Sequence, residues 1–343
     1  MKDEEIFLDE NVWKGLVQRL ERLPHALLLH GPRGIGKLRL AERFAQLLLC
    51  EAGDRRNSPC RVCAGCRWFV AGNHPDARLI EPETIAYEDL KYGYLTEFGF
   101  LKVCREVVRT RLAEAGKAKP SAEIRIDQVR ELGDFLNIGS HRGARRVAIV
   151  HPAEDMNAHA ANSLLKSLEE PPSNAVFLLV AHRPARLLPT IRSRCVQVPV
   201  PLPDAAAARA WLEGQGVRDA ARWLAFAGGA PRLALECASG ERGARTEAVL
   251  RALAGGEGAA LEGANDREQL ELLAEALQKH ALDCALAAFG APRRYTEGSA
   301  PPASQRRAWL AYARAMGRNR ALARHPLNAR LFSAEMLAAM PPM

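Results

Sequence analysis

At 343 residues the chain has room for two or three domains, and 48% hydrophobic residues is enough to build real cores. Its start, MKDEEIFLDE, lacks a signal peptide's basic head and apolar core, and no uncharged span of about 18 residues occurs. A cytoplasmic protein is therefore expected, and its formal charge of +8 points to an anionic partner.

Residues 11 to 22 space Val12, Trp13, Leu16, Val17 and Leu20 as an amphipathic helix. Leu27, Leu28 and Leu29 follow as a short buried strand. Next come Gly31, Gly34, Gly36 and Lys37 in the spacing G-x-x-x-x-G-K, before a helix running to about Leu49. A glycine loop between a strand and a helix N-terminus aims backbone N–H groups at a phosphate, and the lysine meets the outer phosphates. The next position should carry a hydroxyl to hold magnesium, but it is Leu38. That substitution makes ATP hydrolysis doubtful from the outset.

Cys50, Cys60, Cys63 and Cys66 then form C-x9-C-x2-C-x2-C. In a reducing compartment such overlapping pairs argue for metal rather than disulfides. Four thiolates close a tetrahedral shell, so the expected role is structural, and zinc is favoured over an iron–sulfur cluster because nothing else suggests electron transfer. His74 in the NHPD segment reads as a turn residue, and Ala77 to Ile80 as a second strand. The stretch from Thr84 to Ser121 is aromatic, then basic, with Leu101, Val108 and Leu112 at helical spacing. Pattern alone assigns it no function.

Ile124 to Leu136 reads as a short strand, an N-cap at Asp127 and a helix with Val129, Leu132 and Leu136 inward. A basic loop, Ser140 to Arg146, feeds the β-branched run Val147 to Val150. In a hydrolysing P-loop protein this strand ends in an acid that helps hold magnesium. Here His151 and Pro152 occupy the place, and the first acid is Glu154. Asn157 to Glu170 is a helix stopped by Pro171 and Pro172, and Val176 to Val180 another strand. Arg192 and Arg194 lie on the short segment Pro189 to Val196. If extended, it puts both on one face, and by pattern alone they are surface salt-bridge partners.

Beyond Pro199, Pro201 and Pro203 the text turns alanine-rich and helical. Helices are expected at Asp204 to Glu213, Val217 to Ala227, from about Gly228 with Arg232 in its first turn, Asp266 to Ala288 and Gln305 to Arg324. Loops are expected at Gly240 to Gly243 and Gly255 to Gly263. From Gly298 to Ala334 there are seven arginines and no acid.

HGPRGIGK, the four cysteines, NHPD, IDQVREL, HRGARRVAIV, NSLLKSLEEPP, LLPTIRSRC and GGAPRLAL, in this order, resemble the AAA+ clamp-loader family of bacterial DNA polymerase III. The resemblance covers residues from about 25 to 236; 266 to 343 match more weakly, and 84 to 120 look like an insertion. The missing magnesium ligands, and the absence of a long tail, place it on the delta-prime branch rather than the gamma/tau motor branch. It implies an α/β P-loop AAA+ module at 1–200 with the zinc insertion at about 50–66, a helical lid at 201–243 and an all-α collar at 244–343. It implies a stator that does not hydrolyse ATP, in a ring with gamma/tau and delta that loads the sliding clamp onto primer–template DNA. Gly31, Gly34, Gly36, Lys37 and Arg232 would form a degenerate nucleotide site with weak binding at most. Arg194 would reach in trans to a gamma/tau ATP, which reverses the salt-bridge reading. Helix 305–324 would pack against collar neighbours, and any DNA contact would come from helix 157–170. Two other readings compete: a self-sufficient gamma/tau-like ATPase using Glu154 or Asp155 for magnesium, and a zinc-containing nucleic-acid-binding module.

Overall fold

The computed structural model describes residues 10–52, 58–85, 104–108, 110, 113, 120–138, 145–255, 261, 264–296, 298–323 and 327–342. The insertion is thus largely outside the described residues, with Leu101 and Leu112. So are residues 140–144 of the expected loop Ser140 to Arg146 and much of 256–263. The chain divides into two compact units, Met1–Pro203 and Asp204–Met343.

The first unit is a five-stranded parallel sheet with helices. Its strands are β1 (Ala26–His30), β2 (Ala77–Ile80), β3 (Arg146–Val150), β4 (Ala175–Ala181) and β5 (Val196–Pro199), in spatial order β2-β3-β4-β1-β5. The registers are parallel throughout, with Leu28 opposite Leu179 and Gln197, and Ala148 opposite Phe177. All five β3 residues and all seven β4 residues are buried, which is why these strands read as unbroken apolar runs rather than alternating ones. Leu27, Leu28 and Leu29 are fully enclosed, each such side chain contributing about 1.5–3 kcal/mol relative to exposure.

Helices α1 (Glu10–Gln18), α2 (Lys37–Leu48), α3 (Ala64–Val70), α4 (Ile126–Asn137), α5 (Ala158–Glu169) and α6 (Pro189–Arg194) complete this unit. α2 buries nearly every residue, including the Arg39–Glu42 ion pair, so it behaves as a core helix rather than a surface one. Val129, Leu132, Phe135 and Leu136 of α4 join Ala160, Leu164 and Leu168 of α5 in a core beneath β3 and β4.

Three local expectations change in this unit. Ile124 does not belong to a strand; it makes a single bridge to Met156, and α4 begins at Ile126. The N-cap is Arg125, not Asp127, because Gln128 reaches back to accept the Arg125 backbone N–H at 2.9 Å. The segment around Arg192 and Arg194 is helical, so the two side chains leave α6 about 200° apart and do not share a face.

The second unit is all helical among the described residues: α7 (Ala205–Gly214), α8 (Ala220–Phe226), α9 (Pro231–Ala238), α10 (Gly240–Ala254), α11 (Arg267–Ala288), α12 (Arg306–Leu322) and α13 (Ala329–Ala338). The expected loop at Gly240–Gly243 is instead the first turn of α10, since Gly243 packs against the Ala238 backbone, where a Cβ would lie 2.5 Å from its carbonyl. Asp266 caps α11 by accepting the Gln269 N–H at 2.8 Å. Asp283, fully buried, gathers the N–H groups of Arg294, Tyr295 and Thr296 and so pins the turn after α11. Tyr312 Oη donates to the Met336 carbonyl at 2.8 Å and joins α12 to α13.

Candidate functional site

The glycine loop leaves β1 and enters α2 as its spacing predicts. Gly31 has a positive φ and faces the Val200 carbonyl so closely that a Cβ would come within 2.3 Å of that oxygen. Gly34 and Gly36 also have positive φ, Gly36 as the N-cap of α2. Lys37 turns back on the loop: its Nζ donates to the Gly31 carbonyl at 2.7 Å and also to the Pro32 carbonyl. Burial pushes this ammonium down to about 7, with partial compensation from Glu154. Leu38 is buried and brings no hydroxyl.

His151 and His182 stand at the C-terminal ends of β3 and β4, beside the strand that feeds the loop. Their Nε2 atoms are 3.3 Å apart and the rings meet edge to face. Glu154 is fully buried and already committed: it accepts the backbone N–H groups of His182 and Arg183, both at 2.9 Å, and lies 3.8 Å from the Arg183 guanidinium. Asp155 also lies within 3.7 Å of Arg183. The two acids considered as magnesium ligands therefore serve the turn after β4.

Behind His151, Glu81 just after β2 lies 3.5 Å from its Nδ1 and accepts from Arg105 Nε and, at 2.7 Å, from its Nη2. Burial would raise the Glu81 carboxyl, but Arg105 overrides it and holds it at about 2. His182, Glu81 and Arg105 are contacts that the linear text did not reveal. Arg105 sits in the stretch of no assigned function, and only chain folding brings it to β2.

The four cysteines come together as a separate constellation. Their sulfurs all lie within 4.8 Å of one another, with Cys60–Cys66 and Cys50–Cys63 each at 3.9 Å. That matches the edge of a tetrahedron with metal–sulfur bonds of about 2.3 Å, roughly 3.8 Å, and is too long for a disulfide. The Cys63 and Cys66 N–H groups point at the sulfurs of Cys60 and Cys63 at 3.3 Å, the kind of donation that stabilises thiolates. Such hydrogen bonds, from Cys63 and Val62, lower the Cys60 thiol to about 6. His74 is outside this group: its Nδ1 accepts the Asp76 N–H at 3.0 Å and shapes the turn into β2.

Arg194 closes α6 with its guanidinium on the Thr190 carbonyl at 3.0 Å and on Glu169 of α5 at 2.5 Å; both ends of the ion pair are partly exposed. In the second unit Arg232 lies in the first turn of α9, with its guanidinium 6.0 Å from the Trp211 ring centroid. Among the described residues no helix is long and apolar enough to cross a membrane.

The sequence model of a family described as "DNA polymerase III, delta subunit" matches residues 9–203, more than half the chain. A Pseudomonas aeruginosa protein named DNA polymerase III subunit delta' is 40% identical over 224 residues, 64% of this chain and 57% of that protein. The chain belongs to the delta-prime family of DNA polymerase III subunits. An Escherichia coli protein with the delta' name is 30% identical over 271 residues, 75% of this chain and 70% of that protein. The E. coli DNA polymerase III subunit tau is also 30% identical, over 194 residues, 57% of this chain and 24% of that protein. This delta-prime family chain spans about half the length of the first relatives it matches, 57% for P. aeruginosa and 46% for Yersinia pestis. The family match contains the glycine loop, the cysteines and Arg194, whereas Arg232 and α7 to α13 lie beyond it.

Proposed function

We propose that this delta-prime-type chain is a non-catalytic subunit of the DNA polymerase III clamp loader in the cytoplasm. It acts as the stator of a ring with gamma/tau and delta and donates Arg194 to a neighbouring gamma/tau ATP. The first unit serves as an AAA+ module, a reading supported by the strand order and the glycine loop. Residues 201–243 serve as a lid and 244–343 as a collar that holds the ring while the sliding clamp is loaded onto primer–template DNA.

The observation that carries this reading is the state of Arg194. Its guanidinium ends a short helix, and its carboxylate partner among the described residues, Glu169, is itself half exposed. An exposed ion pair of this kind is worth only about 0–1 kcal/mol, so another chain's phosphate can recruit the arginine at little cost. A planar cation supplied in trans offsets the charge that develops on a transferred phosphoryl group.

Within the chain, the chemistry for hydrolysis is missing. Leu38, His151 and Pro152 supply no oxygen for magnesium, and Glu154 is spent on backbone N–H groups. The glycines and Lys37 are compatible with weak nucleotide binding, with Arg232 as a second basic residue. The four cysteines fit a structural zinc ion, held by Cys50, Cys60, Cys63 and Cys66 with no position open for chemistry. The deciding experiment is ATPase and clamp loading by a ring assembled with Arg194→Ala. Loss of both with assembly intact supports the reading; normal activity removes it.

A further inference from the structure

We propose that His151 and His182 form a site for a borderline divalent ion, of the zinc, cobalt or nickel type, beside the glycine loop. The site is distinct from the four cysteines. It lies where magnesium-dependent relatives of this architecture would place oxygen ligands, and its donors are nitrogens instead. Imidazole suits zinc, cobalt and nickel, whereas magnesium demands oxygen.

The geometry carries the proposal. Two nitrogens bound to one tetrahedral ion at about 2.0–2.1 Å lie roughly 3.3–3.4 Å apart. The two Nε2 atoms are already at 3.3 Å. His151 is buried, and its Nδ1 faces the Glu81 carboxylate at 3.5 Å. A proton on that nitrogen, drawn toward the carboxylate, leaves the Nε2 lone pair aimed at His182. This is the carboxylate–histidine arrangement that orients metal-binding imidazoles, and Arg105 fixes the carboxylate in turn. His182 Nδ1 is likewise buried without a partner, so a proton there gives up only the contact between the two Nε2 atoms, which a shared ion would replace.

The charges nearby work both ways. The cations of Lys37, Arg33 and Arg183 lie around His182. Those same cations oppose a bound dication, while Glu81, Glu154 and Asp155 favour it. Arg183 is neutralised by Glu154 and Asp155, and the Lys37 ammonium is turned onto the Gly31 and Pro32 carbonyls. Two protein ligands leave two positions for water or for the oxygens of a phosphate held by the loop. Binding is therefore expected to be weaker than at the four cysteines.

The test uses the full chain with its cysteine site saturated with zinc, titrated with Co²⁺ and followed by calorimetry and visible absorption. One further equivalent is expected, with d–d bands and no thiolate-to-cobalt charge transfer. His182→Ala and His151→Gln should each abolish it while retaining one zinc and the wild-type circular dichroism. Glu81→Gln should weaken it about 10- to 100-fold. The proposal is overturned if wild-type protein takes up no further equivalent. It is equally overturned if the uptake survives in both histidine variants, or if the cobalt signal is all thiolate charge transfer, which reports exchange at the cysteines.

Discussion

The Glu154 carboxylate accepts the His182 backbone N–H at 2.9 Å, so the first acid after β3 is committed to the turn after β4. A fully buried carboxylate that satisfies two backbone donors is structural. The isolated chain is expected to show no ATP turnover above background in a steady-state assay, and Lys37→Ala should change nothing. Glu154→Ala should instead lower stability by about 1.5–3 kcal/mol in a denaturant titration, the worth of a charge-assisted hydrogen bond. Turnover at rates ordinary for ATPases, lost on Lys37→Ala, would contradict this.

Arg194→Ala should leave folding, zinc content and ring assembly unchanged, because the pair it loses with Glu169 is partly exposed. At the neighbouring gamma/tau site the rate should fall by a factor on the order of 10³ to 10⁵, with a smaller loss over the whole cycle. Arg194→Lys should fail as well, since a point charge cannot replace the planar fork. Arg192, which points elsewhere on α6, is the control: Arg192→Ala should retain ATPase activity.

Elemental analysis of purified protein should find one zinc ion per chain. Chelation should lower the melting temperature, and Cys66→Ser should reproduce the loss, because a metal held by the four thiolates would tie together a segment that has little core of its own. A zinc-free protein of unchanged stability would show that the four sulfurs converge for another reason.

The Glu81–Arg105 pair is buried at both ends. Removing one partner strands a charge in the core, so Arg105→Ala should cost about 3–5 kcal/mol, and Arg105→Met with Glu81→Leu should recover most of it. The pH dependence has a definite sign. The folded-state carboxyl is held at about 2, below the 4.5 expected when unfolded, so its contribution is complete above pH 4.5. It is lost as the pH falls from 4.5 through 2, where the unfolded chain takes up the proton first. Denaturant titrations across that range should show a shallower acid slope in the double variant.

Arg314 and Arg318 are exposed on α12 and have no ion-pair partner among the described residues, whereas Arg320 is paired with Glu275 of α11. Charge reversal of both should leave the monomer's melting temperature nearly unchanged and weaken assembly with gamma/tau and delta in sedimentation experiments. An effect confined to salt-sensitive DNA binding by the intact ring would instead assign this face to phosphate contacts.

The two periods of the text carried most of the architecture. Apolar runs at Leu27, Val147 and Val176 became central parallel strands because a strand buried on both faces has no polar side to show. The spacing of Gly31, Gly36 and Lys37 determined a phosphate-type loop because only glycine tolerates the approach to Val200. Close spacing likewise predicted that the cysteines converge. Tertiary structure alone decided the rest. Whether Glu154 was available depended on where β4 ended, and whether Arg192 and Arg194 shared a face depended on α6 being helical. Pairings such as Glu81 with Arg105, or His151 with His182, join residues 24 and 31 positions apart. No local periodicity encodes them, because the sheet order and the packing of the chain across it set those distances.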